Sequence, residues 1–113
     1  MLVESKRPRG QRDIAMTAKR GKEVRGAYYH IKSLLQKSTA PVKIAVVVGK
    51  KTAKNATTRN RIKRRTREAL RRVFVDFSGY NIVVMPKKNV ERAPFSTLTN
   101  ELKAYAHNLA RHQ

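Results

Sequence analysis

The sequence predicts one small α+β domain, an α/β sandwich in which a four-stranded sheet packs against three helices. Two stretches, 42–49 and 80–86, are apolar at nearly every position and rich in β-branched residues, so both are predicted to be central strands. The basic segment between them has the periodicity of an amphipathic helix. With 113 residues, 40% of them hydrophobic, the chain has enough apolar surface for one core and is too short for two ordinary domains.

The first helix is predicted over residues 11–21, QRDIAMTAKRG. Ile14 and Ala18 lie one helical turn apart and form a short apolar face, and Gly21 is the residue type that commonly ends a helix. Residues 1–9 before it are basic with few apolar side chains. They are predicted to be a flexible arm.

The first two strands of the sheet are predicted within residues 21–35. The stretch 27–35 alternates, with Tyr29 and Ile31 on one side, which is the pattern of a half-buried strand. This alternation does not separate the first strand from the second, so the whole stretch must supply both. QKSTAP, residues 36–41, ends the pattern.

The last helix is predicted over residues 96–110, after the loop 87–94. Four apolar residues recur there at helical spacing: Leu98, Leu102, Tyr105 and Leu109. Ser96 or Thr97 is the expected N-cap, because a hydroxyl oxygen can accept from the free N–H groups of the first turn.

The composition of the chain points to a polyanionic partner. Lys and Arg number 27 against seven acids, which gives a net charge of +20 and a pI of about 11.4. A compact domain with this charge repels itself, so nucleic acid is the favoured partner and an anionic membrane surface is the alternative.

The chain has no cysteine, which excludes disulfides, and its longest apolar run is far too short to span a bilayer. A soluble, cytoplasmic protein is expected.

The segment 55–74, NATTRNRIKRRTREALRRVF, is predicted to be a helix with opposed apolar and cationic faces, capped by Asn55 or Thr57. At about 100° per residue, one sector holds the apolar stripe: Ile62, Thr66, Ala69 and Val73, with Leu70 at its edge. The opposite sector holds Asn60, Lys63, Arg64, Arg67 and Arg71. The flank between them holds Arg61, Arg65, Glu68 and Arg72. Glu68, on this flank, is expected to pair with Arg64 and Arg72, each four residues away.

The charge of this helix exceeds what a solvated surface needs. Eight cations lie between Arg59 and Arg72, with Glu68 as the single acid. Like charges four residues apart, such as Arg67 and Arg71, repel by roughly 0.2–0.5 kcal/mol per pair in an isolated helix. A polyanion would offset this repulsion, and the planar fork of arginine suits bidentate phosphate contacts. The preceding turn extends the cationic surface through Lys50, Lys51 and Lys54.

The segment 59–71, RNRIKRRTREALR, resembles the RNR motif of the bacterial ribonuclease P protein subunit, a basic helix that docks on the RNA of that enzyme. The matching residues are Arg59, Asn60, Arg61, Lys63, Arg64, Arg67 and Glu68. The preceding KKTAKNATT is similar to the Lys-Lys turn of that family. Weaker similarity extends over about nine-tenths of the chain.

The resemblance implies a single ribonuclease P protein-like RNA-binding domain over residues 10–113, with a fold resembling the ribosomal protein S5 domain 2-like fold. Such a protein binds the catalytic RNA subunit and the 5′ leader of precursor tRNA, and it assists endonucleolytic removal of the leader. The RNA subunit, with bound magnesium ions, carries the chemistry; the protein itself is expected to hold no cofactor or metal and to need no membrane or obligate protein partner. The residues expected at the RNA are Lys50, Lys51, Lys54, Arg59, Asn60, Arg61, Lys63, Arg64, Arg67 and Arg71.

The departures from the family concern the cleft that binds the leader. The family has two aromatic residues on its first helix and a tyrosine on its second strand, where this chain has Ile14, Ala18 and Lys32. Because stacking is worth about 1–3 kcal/mol per base, the leader is expected to be bound mainly through charge. Tyr28, on the same strand face as Lys32, is a candidate substitute. A partly exposed sheet tyrosine without that role is an equal alternative.

Two other classes of protein share part of this pattern. A ribosomal-type structural RNA-binding protein has the same charge without a role in cleavage. A helix-turn-helix DNA-binding protein needs a short helix where residues 42–49 have a strand pattern. The sequence offers no catalytic constellation, since the three histidines lack metal-ligand spacing and the seven acids are scattered singly.

Overall fold

The structure, a computed structural model, describes residues 11–36, 42–74 and 77–111; the predicted basic arm, residues 1–9, lies outside them. Three α-helices and four strands occur in the described ranges: α1 Gln11–Arg20, β1 Lys22–Arg25, β2 Tyr29–Leu35, β3 Lys43–Val46, α2 Ala56–Val73, β4 Tyr80–Pro86 and α3 Phe95–Arg111. A 3-10 helix, Lys88–Glu91, lies between β4 and α3, inside a stretch predicted to be loop.

The strands form one mixed sheet in the order β1-β2-β4-β3. β2 pairs antiparallel with both β1 and β4, whereas β3 pairs parallel with β4. Two adjacent parallel strands need a crossover, and α2 is that crossover between β3 and β4. The predicted α+β class is therefore confirmed, and residues 21–35 supply both β1 and β2 as expected.

The prediction that residues 42–49 form a central strand is wrong. β3 is shorter, Lys43–Val46, and lies at the edge of the sheet as it is described. Ile44 is 1% exposed, but Val47 is 41% exposed. The run is apolar because both faces of β3 are covered, one by the main core at Ile44 and the other by α1 at Ala45. Its edge position follows from β2 occupying the other side of β4. β4, by contrast, is central as predicted.

The two faces of the sheet pack against different helices. On one face, Ile31, Ile44 and Val84 join the main core with residues of α2 and α3. On the other face, Val83 lines a small crevice with Ile14 and residues of α1. Successive side chains of β2 and β4 point to these two faces in turn, and helices cover both faces, so the domain is a helix–sheet–helix sandwich.

The turn between β1 and β2 is fixed by a carboxylate from α3. Glu101 accepts hydrogen bonds from the backbone N–H groups of Ala27, Tyr28 and Tyr29 at 2.9–3.2 Å. A Cβ at position 26 would collide with the Glu101 carboxylate, so Gly26 leaves the space that this arrangement occupies. The contact joins the C-terminal helix to the first hairpin, and the sequence pattern gave no sign of it.

The helix ends agree with the sequence in part. The Gly21 N–H donates to the Thr17 carbonyl at 2.8 Å, which ends α1 as predicted. The N-cap prediction for the last helix is wrong: α3 begins at Phe95, which places Ser96 and Thr97 inside its first turn. There the Pro94 carbonyl accepts from the Thr97 N–H at 3.0 Å.

Candidate nucleic-acid interface

The apolar side of α2 sets its orientation on the sheet. Asn55 Oδ1 accepts from the Thr57 N–H at 2.7 Å, so Asn55 is the N-cap. Ile62 is fully buried, and the Thr66 hydroxyl donates to Tyr29 Oη at 3.4 Å. Burial raises the pKa of Tyr29 to about 12. Leu70, predicted at the edge of the stripe, is fully buried, whereas Val73 is only half-buried.

One flank of α2 faces the 3-10 helix and bonds to it. Arg65 Nη1 donates to the Val90 carbonyl at 2.7 Å and to the Glu91 carbonyl at 2.9 Å, and its Nη2 donates to the Ala93 carbonyl at 2.6 Å. Arg61 Nη1 forms an ion pair with Glu91 Oε2 at 3.0 Å. These two arginines are therefore engaged by the protein, and we call them the docking flank.

Arg59 also bonds to the protein. Its Nη1 donates to the carbonyls of Ala53 and Lys54 at 3.0 and 2.8 Å. It thereby closes the turn that precedes α2, and its side chain is half-buried. Both Arg59 and Arg61 were predicted RNA contacts, and in the structure each also fixes a neighbouring segment.

The side of α2 opposite its apolar stripe is exposed. Asn60, Arg64, Arg67 and Arg71 form a row along it, which we call the outer row. This row and Glu68 border a groove of 470 Å³. Lys63, at the margin, is half-buried. The lysines of the preceding turn, Lys50, Lys51 and Lys54, are exposed. Cationic side chains thus face solvent along this side of α2 and on the preceding turn, as predicted.

The predicted partners of Glu68 are half right. Glu68 Oε2 lies 3.8 Å from Arg72 Nε, as expected, but Glu68 Oε1 accepts from Arg71 Nη1 at 3.1 Å instead of from Arg64. The guanidinium of Arg72 also lies 4.9 Å from the centre of the Phe95 ring. Because the Glu68 side chain is 46% exposed, its ion pairs with Arg71 and Arg72 add little stability.

Three of the four residues predicted for the leader cleft, Ile14, Ala18 and Lys32, lie together at α1, whereas the fourth, Tyr28, does not. Ile14 is half-buried against the sheet, and Lys32 Nζ donates to the Ala18 carbonyl at 2.7 Å. Tyr28 is half-buried and packs against the main core. Lys32 therefore holds the C-terminal end of α1, which is a structural role that the sequence pattern did not indicate.

Glu23, an acid on the same face of the sheet as Lys32, reduces the positive charge of that face. Glu23 pairs across the strands with Lys32, but its carboxylate contacts Arg25 and His30. The hydrogen bond from Arg25 Nε, at 2.8 Å, lowers the pKa of Glu23. Glu23 thus remains an anion beside the predicted leader cleft.

Sequence reasoning missed two structural contacts of α2: the hydrogen bonds of Arg65 to backbone carbonyls and the ion pair between Arg61 and Glu91. These contacts join positions about 25 to 30 apart in the chain, and no local periodicity encodes such a distance.

In the described part of the chain, no group of three acidic or histidine side chains is placed to hold a metal ion. Among the helices of that part, none has the length and hydrophobicity that crossing a membrane requires.

Comparison with known proteins identifies the family. The family model described as Ribonuclease P matches residues 2–110. The chain is 34% identical over 104 residues to the ribonuclease P protein component of Pseudanabaena sp., covering 91% of this chain and 90% of the relative. It is 36% identical over 104 residues to that of Finegoldia magna, covering 89% of this chain and 88% of the relative.

Solved structures show the same fold. The RNase P protein from Thermotoga maritima matches with a TM-score of 0.70 at 30% identity, covering 84% of this chain and 89% of that one. The Staphylococcus aureus RNase P protein has a TM-score of 0.71 at 22% identity, which supports the fold alone, over 89% of this chain and 91% of that one.

Fold and site together define a small basic α+β domain whose crossover helix presents cations to solvent. The chain belongs to the ribonuclease P protein family, the protein components of the tRNA-processing ribonuclease P complex.

Proposed function

We propose that this protein binds the RNA subunit of ribonuclease P through the outer row of α2 and the lysines of the preceding turn. The observation that carries the proposal is the exposure of the outer row, beside a docking flank whose guanidinium groups bond to the protein. Exposed arginines can pair with phosphate oxygens at little cost, because their guanidinium groups are already accessible to solvent. Arg71 would exchange its exposed bond to Glu68 for a phosphate.

Arg59 and Arg61 have a mixed role in this proposal. Arg61 is 51% exposed beside Glu91, so its outer N–H groups remain accessible to a phosphate. Arg59 acts by holding the turn that presents Lys50, Lys51 and Lys54. We therefore expect the outer row to carry more of the binding than these two residues.

The leader of precursor tRNA is proposed to contact the sheet face that carries α1. The half-buried Ile14 and Ala18 offer no ring for stacking, and Lys32 already bonds to the Ala18 carbonyl. Contacts there are therefore with phosphates and carry no sequence information. Leader affinity should then depend on salt and be insensitive to leader sequence.

An aromatic substitution tests the leader proposal. Ala18→Phe should strengthen holoenzyme binding of precursor tRNA by up to about 1–3 kcal/mol if the cleft accepts a stacked base. Leaders of several lengths and sequences should be compared. Strong discrimination between leader sequences by the wild type would contradict binding through charge, and Tyr28 would then be the better candidate.

The chemistry is proposed to belong to the RNA subunit and its magnesium ions, with the protein assisting binding. The decisive experiment adds purified protein to a bacterial ribonuclease P RNA and measures precursor-tRNA cleavage at low magnesium. The protein should restore cleavage that the RNA alone performs poorly under these conditions. RNA binding without any effect on cleavage would instead favour a structural RNA-binding protein.

A further inference from the structure

The 3-10 helix Lys88–Glu91 is held rigidly against the docking flank of α2. Arg65 donates to three carbonyls in this region, and Arg61 pairs with Glu91. The Val90 side chain is fully buried in the core. The segment therefore continues the surface of α2 as a fixed neighbour.

Most side chains of this region have a protein partner. Lys87 Nζ donates to the Gly26 carbonyl at 2.6 Å, and Asn89 Nδ2 donates to the Ala27 carbonyl at 3.2 Å. Glu91 is paired with Arg61, and its side chain is only 15% exposed. The single acid of the segment is thus neutralised and largely covered.

Lys88 and Arg92 are the exception. Both are exposed, and neither makes a hydrogen bond or an ion pair with the part of the chain that the structure describes. Their charges add to those of α2 beside the docking flank. In a chain of net charge +20, two further exposed cations on a fixed support are costly unless an anion offsets them.

We infer that Lys88 and Arg92 form a second row of phosphate contacts, so that the RNA subunit spans α2 and the 3-10 helix. Arg61 lies between the two rows and is accessible to the same RNA. The inference rests on the proposed function and adds to it a surface outside the basic helix. Because side chains of this kind contact the RNA backbone, they should add affinity without sequence preference.

The test compares two double variants that each remove two positive charges. Lys88→Ala with Arg92→Ala removes the second row, and Lys22→Ala with Lys103→Ala removes exposed cations of β1 and α3 as a control. Affinity for a transcript of a bacterial ribonuclease P RNA is measured over a range of salt. Each lost phosphate contact should reduce the slope of log K against log salt by about 0.7–0.9.

The expected result is a loss of roughly 10- to 30-fold at about 0.15 M salt for the first pair, with a slope lower by about 1.4–1.8. The control pair should lose much less. A second variant, Lys88→Gln with Arg92→Gln, keeps the side-chain stems and should show the same loss at an unchanged melting temperature.

The possible failures are distinguishable. If wild type binds the RNA and both double variants weaken it equally, only net charge matters and the second row is overturned. Undiminished binding by the Lys88→Ala, Arg92→Ala variant has the same consequence and leaves the proposed function intact. If the wild type does not bind the RNA at all, the proposed function and the second row fail together.

Discussion

The two sides of α2 carry the same residue type for different purposes. Arg65, on the docking flank, donates three hydrogen bonds to carbonyls at 2.6–2.9 Å. Arg64, its neighbour in sequence, is exposed in the outer row. A guanidinium on one side stabilises the fold, and a guanidinium on the other is available to a ligand. Adjacent arginines in one basic motif thus need not share a function.

The largest effect is expected on the apolar side of the helix. Ile62→Ala should lower the free energy of unfolding by about 2–5 kcal/mol, because it leaves a cavity at a fully buried position. Chemical denaturation measures this loss. Affinity for RNA should be retained under conditions where the variant is folded, and a direct loss of affinity there would contradict the separation of the two sides.

Arg65→Ala is the next test of the comparison. It leaves three carbonyls without their donor, so the free energy of unfolding should fall by about 1.5–3 kcal/mol. Arg64→Ala is the matched control, since it removes the same charge one residue away and should change stability by less than about 0.5 kcal/mol. Equal effects of the two substitutions would remove the distinction between docking flank and outer row.

The outer row is tested by Arg64→Ala with Arg67→Ala. RNA affinity should fall by roughly 10- to 30-fold at about 0.15 M salt, with a lower salt dependence. The melting temperature should stay nearly constant or rise slightly, because repulsion along the helix is relieved. If this double variant unfolds the domain instead, its two arginines are structural.

The smallest effect is expected on the other face of the sheet. Lys32→Ala removes the hydrogen bond to the Ala18 carbonyl, so stability should fall by about 0.5–1.5 kcal/mol. Amide exchange in the last turn of α1 should accelerate, which is the local measurement. Unchanged exchange together with weaker leader binding would show that Lys32 serves the leader more than the helix.

Much of the fold follows from local pattern. The three helices were predicted because their buried faces repeat every 3.6 residues, and β4 was predicted because residues 80–86 are apolar at nearly every position and rich in β-branched side chains. The order of the strands does not follow from such patterns. Residues 42–49 are as apolar as a central strand, yet β3 is at the edge, because the position of a strand depends on which partners the other strands leave free.

The sequence by itself determined the amphipathic basic helix, two candidates for its N-cap and the cationic charge that faces solvent. Those features depend on neighbours within a few residues. Only the tertiary structure decided that Arg65 bonds to the protein, because its acceptors, the carbonyls of residues 90, 91 and 93, lie 25 to 28 residues further along the chain. Helical periodicity places a side chain on a face of α2, and the packing of the 3-10 helix against that face decides whether its charge is left for a ligand.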